Sequence, residues 1–116
     1  MKLRFHKGDL RLRLSQSDVA RLAEGQAIEE RIDFPGDVRL AFSFEPGDRH
    51  AALFENATIR VMAPAEDVTR WIESDQEGIE FQQLGMKVAI EKDFKCIHRD
   101  SPADADSFPN PMMDKF

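Results

Sequence analysis

Basic side chains recur at every second position in the first two strands that this sequence predicts. In residues 2–6 the polar side chains alternate with Leu3 and Phe5, which is the period-two pattern of a half-buried strand. Residues 10–14 continue the pattern, so the two segments predict a hairpin with one apolar and one basic face. Alternation in later strands adds further cations. The predicted basic residues are Lys2, Arg4, His6, Arg11, Arg13, Arg39, Arg60 and Lys87.

These eight residues would share one face if their strands share one sheet, and they are then the best candidates for a functional surface. Such a face would attract carboxylates, phosphates or an acidic segment of a partner. The competing interpretation is a solvated outer face, whose charges are balanced by Asp and Glu on neighbouring strands. The expected partner is therefore an unknown protein or a small anionic ligand, and no cofactor is predicted.

A second group of residues near the C-terminus could bind a metal ion. Cys96 and His98 form a C-x-H pair that is followed by Asp100, Asp104 and Asp106, and all five are of metal-ligand types. The group mixes soft and hard ligands, however, and its spacing matches no closed zinc motif. A buried thiol beside a surface histidine explains the same residues. No metal site is predicted, and Cys96 and His98 are kept only as weak candidates.

Recognised catalytic motifs are absent from the sequence. There is no G-x-S-x-G, glycine-rich phosphate loop or H-E-x-x-H. Ser15 and Ser17 are better explained as residues that cap a helix. The adjacent Glu29 and Glu30 point to opposite faces of a strand and cannot act as a dyad. The sequence favours a non-enzymatic binding or assembly domain; the alternative is a small enzyme or anion-binding barrel that acts on a phosphorylated or carboxylated ligand.

The composition indicates a single globular domain. A chain of 116 residues is long enough to bury one core, and its one cysteine cannot form an internal disulfide, which is compatible with a reducing cytoplasm. A net charge of −6 argues against a general nucleic-acid binder. No window approaches the ~20 apolar residues of a membrane span, and the first residues lack the apolar core of a signal peptide. We therefore expect a cytoplasmic protein without a membrane segment.

Two stretches of the sequence resemble each other at an offset of 49 residues: 10–22 and 59–71. Each begins as an alternating strand and continues into a short amphipathic helix. The similarity predicts two ββαββ units, at about 1–45 and 49–93, with residues 45–48 as the seam between them. The expected fold is α+β, with about eight mainly antiparallel strands in an open or barrel-like sheet and two short helices. The matched pairs are Arg11 and Arg60, Asp18 and Asp67, Val19 and Val68, and Arg21 and Arg70.

The regular pattern stops near the C-terminus, which predicts one domain over 1–98 and an extended tail over 99–116. The tail is rich in aspartate and holds three prolines, at 102, 109 and 111, so no regular element is expected there. It also carries Phe108, Met112, Met113 and Phe116, which are too apolar for a fully solvated segment. We expect the tail to pack on the body of the domain or on a partner, and a homodimer could form through it.

Four segments of the sequence resemble motifs of a family of small bacterial proteins of unknown function. They are Lys2-Leu3-Arg4, GDLRLRL at 8–14, EKDFKC at 91–96 and FPNP at 108–111. The resemblance covers most of the chain and implies a bacterial origin and no assigned activity. A weaker, architectural similarity links the duplicated strand units to the triphosphate-tunnel enzymes. Their E-x-E-x-K strand would correspond to residues 2–7, which have no carboxylate, so metal-dependent phosphohydrolysis is not supported.

Overall fold

The structure is a computed structural model that describes residues 1–94. These residues fold into two similar ββαββ units, consistent with duplication, and they form no closed barrel. The predicted α+β class is thus confirmed. Cys96, His98 and the tail over 99–116 lie outside the described residues. The elements are β1 Lys2–His6, β2 Asp9–Leu14, α1 Gln16–Ala23, β3 Ile28–Phe34, β4 Val38–Gly47, β5 Ala51–Glu55, β6 Thr58–Pro64, α2 Ala65–Glu73, β7 Gly78–Gln83 and β8 Met86–Lys92.

The eight strands form two sheets, and each sheet contains one hairpin from each unit. Sheet 1 has the order β1-β2-β8-β7, and sheet 2 has the order β3-β4-β6-β5. The outer pairings are antiparallel, whereas the central pairings, β2 with β8 and β4 with β6, are parallel. Four of the six pairings are therefore antiparallel, as expected. The units interlock, because neither could complete a sheet without the other.

Strand β4 runs through the segment that the sequence marks as a seam. Glu45, Pro46 and Gly47 belong to this strand and pair in parallel with residues 62–64 of β6. The antiparallel partner β3 reaches only as far as Phe44, so this part of β4 has a strand on one side only. A proline is tolerated there, because no second ladder requires its missing amide.

Helix α1 begins at the cap that the sequence predicts. The Ser15 hydroxyl accepts a hydrogen bond from the Asp18 amide at 3.2 Å, and the Asp18 carboxylate accepts one from the Ser15 amide at 3.0 Å. This reciprocal capping box satisfies two of the free amides at the helix start. The helix stops before Gly25, which has a φ of 86°. The amide of Gly25 donates to the Leu22 carbonyl and closes the last turn.

The core lies where the two sheets and the two helices meet. Trp71 of α2 is fully buried and packs edge-to-face against Phe44 of β4, with ring centroids 6.3 Å apart. Its indole Nε1 donates to the Glu77 carbonyl at 3.0 Å, so burial leaves no polar atom of the ring without a partner. Trp71 is thus a core residue. Leu12 and Ile90 of sheet 1 and Val61 of sheet 2 are among the other fully buried residues.

Side chains join the sheets at their edges. The Gln83 amide of β7 accepts a hydrogen bond from the Ala52 amide at 2.9 Å and donates one to the Ala52 carbonyl at 2.8 Å. It therefore takes the place of a neighbouring peptide along β5. At the opposite edges the Met1 ammonium lies 3.0 Å from the Glu30 carboxylate of β3. These contacts link sheet 1 to sheet 2 at both edges.

Candidate functional site

The outer face of sheet 1 brings together six of the eight predicted basic residues. The strand register aligns Arg4, Arg11, Ala89 and Glu80 in one row across the sheet. A second row begins with Lys2 and continues through Arg13 and Glu91. Beyond the first row, His6 pairs with Asp9 on one side of the sheet and Lys87 pairs with Gln82 on the other. The six residues are Lys2, Arg4, His6, Arg11, Arg13 and Lys87.

Arg39 and Arg60 lie on sheet 2, away from the other six. The eight predicted basic residues therefore do not share one face, because their strands do not share one sheet. The two hairpins of each unit belong to different sheets. Both arginines form ion pairs: Arg39 Nε lies 2.8 Å from Asp33 Oδ1, and Arg60 Nη2 lies 3.0 Å from Glu45 Oε1. The hydrogen bond to Glu45 raises the pKa of Arg60 above its ordinary value. These two arginines fit the balanced, solvated face that was the competing interpretation.

The half of the sheet 1 face around Arg13 is balanced by carboxylates. Glu91 Oε1 lies 3.6 Å from the Nε atoms of both Arg11 and Arg13. Lys2 Nζ lies 3.3 Å from Asp93 Oδ2, which follows β8. The second Asp93 oxygen is 3.8 Å from Arg13 Nη1. Cations and anions alternate here, as cross-strand pairing favours. The positive charges in this half are therefore balanced within the protein and need no external anion.

The other half of the face contains a shallow depression of about 70 Å³. Ala89 is buried between Arg11 and Glu80 in its row, and its small side chain leaves a gap among longer neighbours. Arg4 stands directly opposite Arg11 on the adjacent strand, an arrangement of like charges that destabilises a sheet unless an anion screens it. The depression is lined by Arg4, His6, Asp9, Leu10, Arg11, Lys87 and Ala89.

Positive charge exceeds negative charge among the residues that line this depression. Three permanent cations, Arg4, Arg11 and Lys87, face one carboxylate, Asp9. Lys87 Nζ has Glu80 at 3.8 Å, whereas Arg4 forms no ion pair within 4.0 Å among residues 1–94. Guanidinium groups donate several hydrogen bonds in a planar fork that matches carboxylate and phosphate oxygens. The volume suffices for a few water molecules or one small oxyanion group.

The remaining candidates from the sequence do not assemble into a second site. The Ser15 hydroxyl caps α1 and lies 3.2 Å from the Ser17 hydroxyl. Within residues 1–94, no group of three or more His, Cys, Asp or Glu could hold a metal ion. No helix in this part of the chain is long and apolar enough to cross a membrane.

The predicted basic residues did not include three residues of the depression, Asp9, Leu10 and Ala89. Asp9 lies at the end of the predicted first turn. The position of Ala89 on this face could be predicted from the sequence, because alternation along β8 places it on the same side as Lys87 and Glu91. The missing information was the parallel pairing of β2 with β8, which sets Ala89 beside Arg11.

Comparison with known proteins agrees with the resemblance seen in the sequence. No curated protein matches this chain. A family model described as "Family of unknown function (DUF7009)" matches residues 1–112, a span that contains all eight strands, both helices and every residue of the basic face. The chain therefore belongs to this family of unknown function.

Proposed function

We propose that this domain is a non-enzymatic binding module that captures an oxyanion group of a partner on the outer face of sheet 1. The group is a carboxylate or a phosphate. The observation that carries the proposal is the convergence of Arg4, Arg11 and Lys87 on one depression above Ala89. A cytoplasmic location and a bacterial origin stay predictions that rest on the sequence alone.

Electrostatics supports an anion at this position. The opposed guanidinium groups of Arg4 and Arg11 repel each other across β1 and β2, and an oxyanion between them would convert that repulsion into two charge-assisted hydrogen bonds. His6, in the same lining, adds a third type of donor. Asp9 sets a limit on the net positive charge and would disfavour a ligand that carries additional negative groups on that side.

The size and lining of the depression support binding rather than catalysis. About 70 Å³ is far below the several hundred cubic ångströms of an ordinary small-molecule pocket. It fits one oxyanion group at the tip of a larger partner and would leave the rest of that partner on the surface. The lining offers charge and hydrogen-bond donors but no hydroxyl or thiol, so catalysis by a serine, threonine or cysteine nucleophile lacks support there.

The proposal is tested by NMR titration of isotope-labelled protein with inorganic phosphate and, separately, with acetate. Saturable shifts are expected for amides of β1, β2 and β8 around the depression. The double variant R4Q/R11Q should bind at least about tenfold more weakly, since each lost charge-assisted hydrogen bond is worth ~1.5–3 kcal/mol. The ratio of the phosphate to the acetate affinity distinguishes the two kinds of oxyanion.

The matched control is R39Q/R60Q, which removes two arginines from sheet 2. This variant should bind phosphate as the wild type does. Circular dichroism spectra and unfolding midpoints of both variants establish that they are folded. Shifts that scatter over both sheets, or equal weakening in the two double variants, would show nonspecific screening by surface cations and would overturn the proposal.

A further inference from the structure

The β3–β4 hairpin extends beyond the rest of sheet 2 and exposes an apolar face. Strand β6 pairs with β4 only from Ala41 onward, so residues 32–34 and 38–40 pair with each other alone. Ile32, Phe34 and Val38 are 51%, 46% and 57% exposed on the face that continues into the core. Apolar side chains grouped in this way mark an interaction surface.

The hairpin also presents an open strand edge. Within residues 1–94, β3 pairs only with β4, so the backbone groups on its other side have no strand partner. All four residues from Arg31 to Phe34 are exposed. Such an edge is a template for strand addition, which would extend the sheet and cover the apolar face at the same time.

The charges on this edge complement a second copy of the same strand. In an antiparallel pair related by a twofold axis at Ile32, each Arg31 lies opposite Asp33 of the other copy, and Ile32 meets Ile32. Opposed residues then share a face of the sheet, as pleating requires. Two favourable charge pairs flank one apolar contact.

The neighbouring registers of the same symmetry are unfavourable. A twofold axis at Arg31 would set two arginines against each other, and an axis at Asp33 would oppose two aspartates. An axis at Glu30 would oppose two glutamates on the apolar face. Like charges directly opposite destabilise a strand pair, so the sequence of β3 itself selects the register that is centred on Ile32.

We infer that this edge is a homodimer interface, in which β3 pairs with β3 of a second copy and joins the two copies of sheet 2 into one eight-stranded sheet. The contact is isologous, as in most twofold dimers, since the same residues serve both partners. Ile32, Phe34 and Val38 of the two copies lie on one face of the joined sheet, where each Glu30 stands opposite Phe34 of the other copy. The interface is independent of the anion site proposed above, which lies on the outer face of sheet 1.

The oligomeric state of the full-length protein tests this inference. Analytical ultracentrifugation at micromolar concentration should give twice the 13.3 kDa mass of one chain. R31D places aspartate opposite Asp33, and D33R places arginine opposite Arg31, so each variant alone should lose the dimer. A one-to-one mixture of the two restores opposite charges in every pair and should recover the dimer mass.

The control is R39Q, which removes a cation from β4 of the same hairpin and frees Asp33, its ion-pair partner within one copy, for Arg31 of the other copy. This variant should remain dimeric. A monomeric wild type would overturn the inference. If R31D and D33R both keep the dimer mass, another surface joins the copies and the inference is wrong. A one-to-one mixture of the two variants that stays monomeric would also overturn it.

Discussion

Arg60 on β6 and Glu45 on the parallel neighbour β4 form an ion pair in which Nη2 lies 3.0 Å from Oε1. Sheet 1 contains the equivalent pair in a looser form, with Arg11 Nε 3.6 Å from Glu91 Oε1. The register explains the difference. Glu45 stands opposite Met62, whereas Glu91 stands opposite Arg13 and is divided between two guanidinium groups. Arg11 is therefore less completely neutralised than Arg60.

The first prediction concerns this glutamate. E91Q should strengthen phosphate binding on the outer face of sheet 1 by up to about fivefold, because it removes a carboxylate that competes for Arg11, and an ion pair near the surface is worth up to ~1 kcal/mol. The NMR titration with inorganic phosphate measures the change. E45Q, at the equivalent place in sheet 2, should leave the affinity unaltered. Equal affinities of E91Q and the wild type would show that Arg11 is not a phosphate ligand.

The elements of this fold were readable from the sequence, whereas the assignment of strands to sheets was not. Local patterns decide the elements: alternation defines the hairpin of β1 and β2, and Ser15 with Asp18 defines the start of α1. Sheet membership depends on contacts between the two units, which no local pattern reports. The central parallel pairings put Arg39 and Arg60 on one sheet and the other predicted cations on the second.

The candidate site was predictable in its charges but not in its shape. Alternation correctly places Arg4 and Arg11 on the polar face of their hairpin. The depression, however, exists because β8 sets Ala89 beside Arg11, a long-range register. The sequence offset of 49 also does not hold in the last strand of each unit. Arg11 and Arg60 obey it, while their glutamate partners Glu91 and Glu45 are 46 residues apart, because the second hairpins of the two units differ in length.

The second prediction uses the two equivalent hairpin turns. Lys7-Gly8 and Asn56-Ala57 both have positive φ at each position, as type I′ turns require. Ala57 has a φ of 57°, in the left-handed region, where its Cβ makes the conformation less favourable by about 1 kcal/mol than it is for glycine. A57G should therefore raise the free energy of unfolding by up to ~1 kcal/mol in urea titrations.

The reciprocal substitution is the control. A Cβ on Gly8 would meet no atom within 4 Å, so G8A tests the backbone alone and should lower the free energy of unfolding by about 1 kcal/mol. If A57G destabilises the protein while G8A is neutral, side-chain packing of Ala57 outweighs its backbone strain, and the two turns are not equivalent.

The third prediction concerns acid stability and depends on Asp18. Burial alone would raise the pKa of this carboxyl, but hydrogen bonds from the Met1 ammonium, the Ser15 amide and Arg21 outweigh it and lower the pKa from 3.8 to about 2. Because the folded pKa is lower than the unfolded one, the resulting stability is complete above about pH 4 and is lost as the pH falls towards 2. The difference corresponds to roughly 2 kcal/mol.

D18N should accordingly cost about 2 kcal/mol of unfolding free energy near pH 7, and the gap to the wild type should close between about pH 4 and pH 2. Urea unfolding followed by the fluorescence of the single tryptophan, Trp71, measures both proteins across this range. D75N, at an exposed carboxylate that forms no ion pair among the described residues, controls for loss of a charge. A gap that stays constant down to pH 2 would mean that the shape of the Asp18 side chain, and not its charge, stabilises the start of α1.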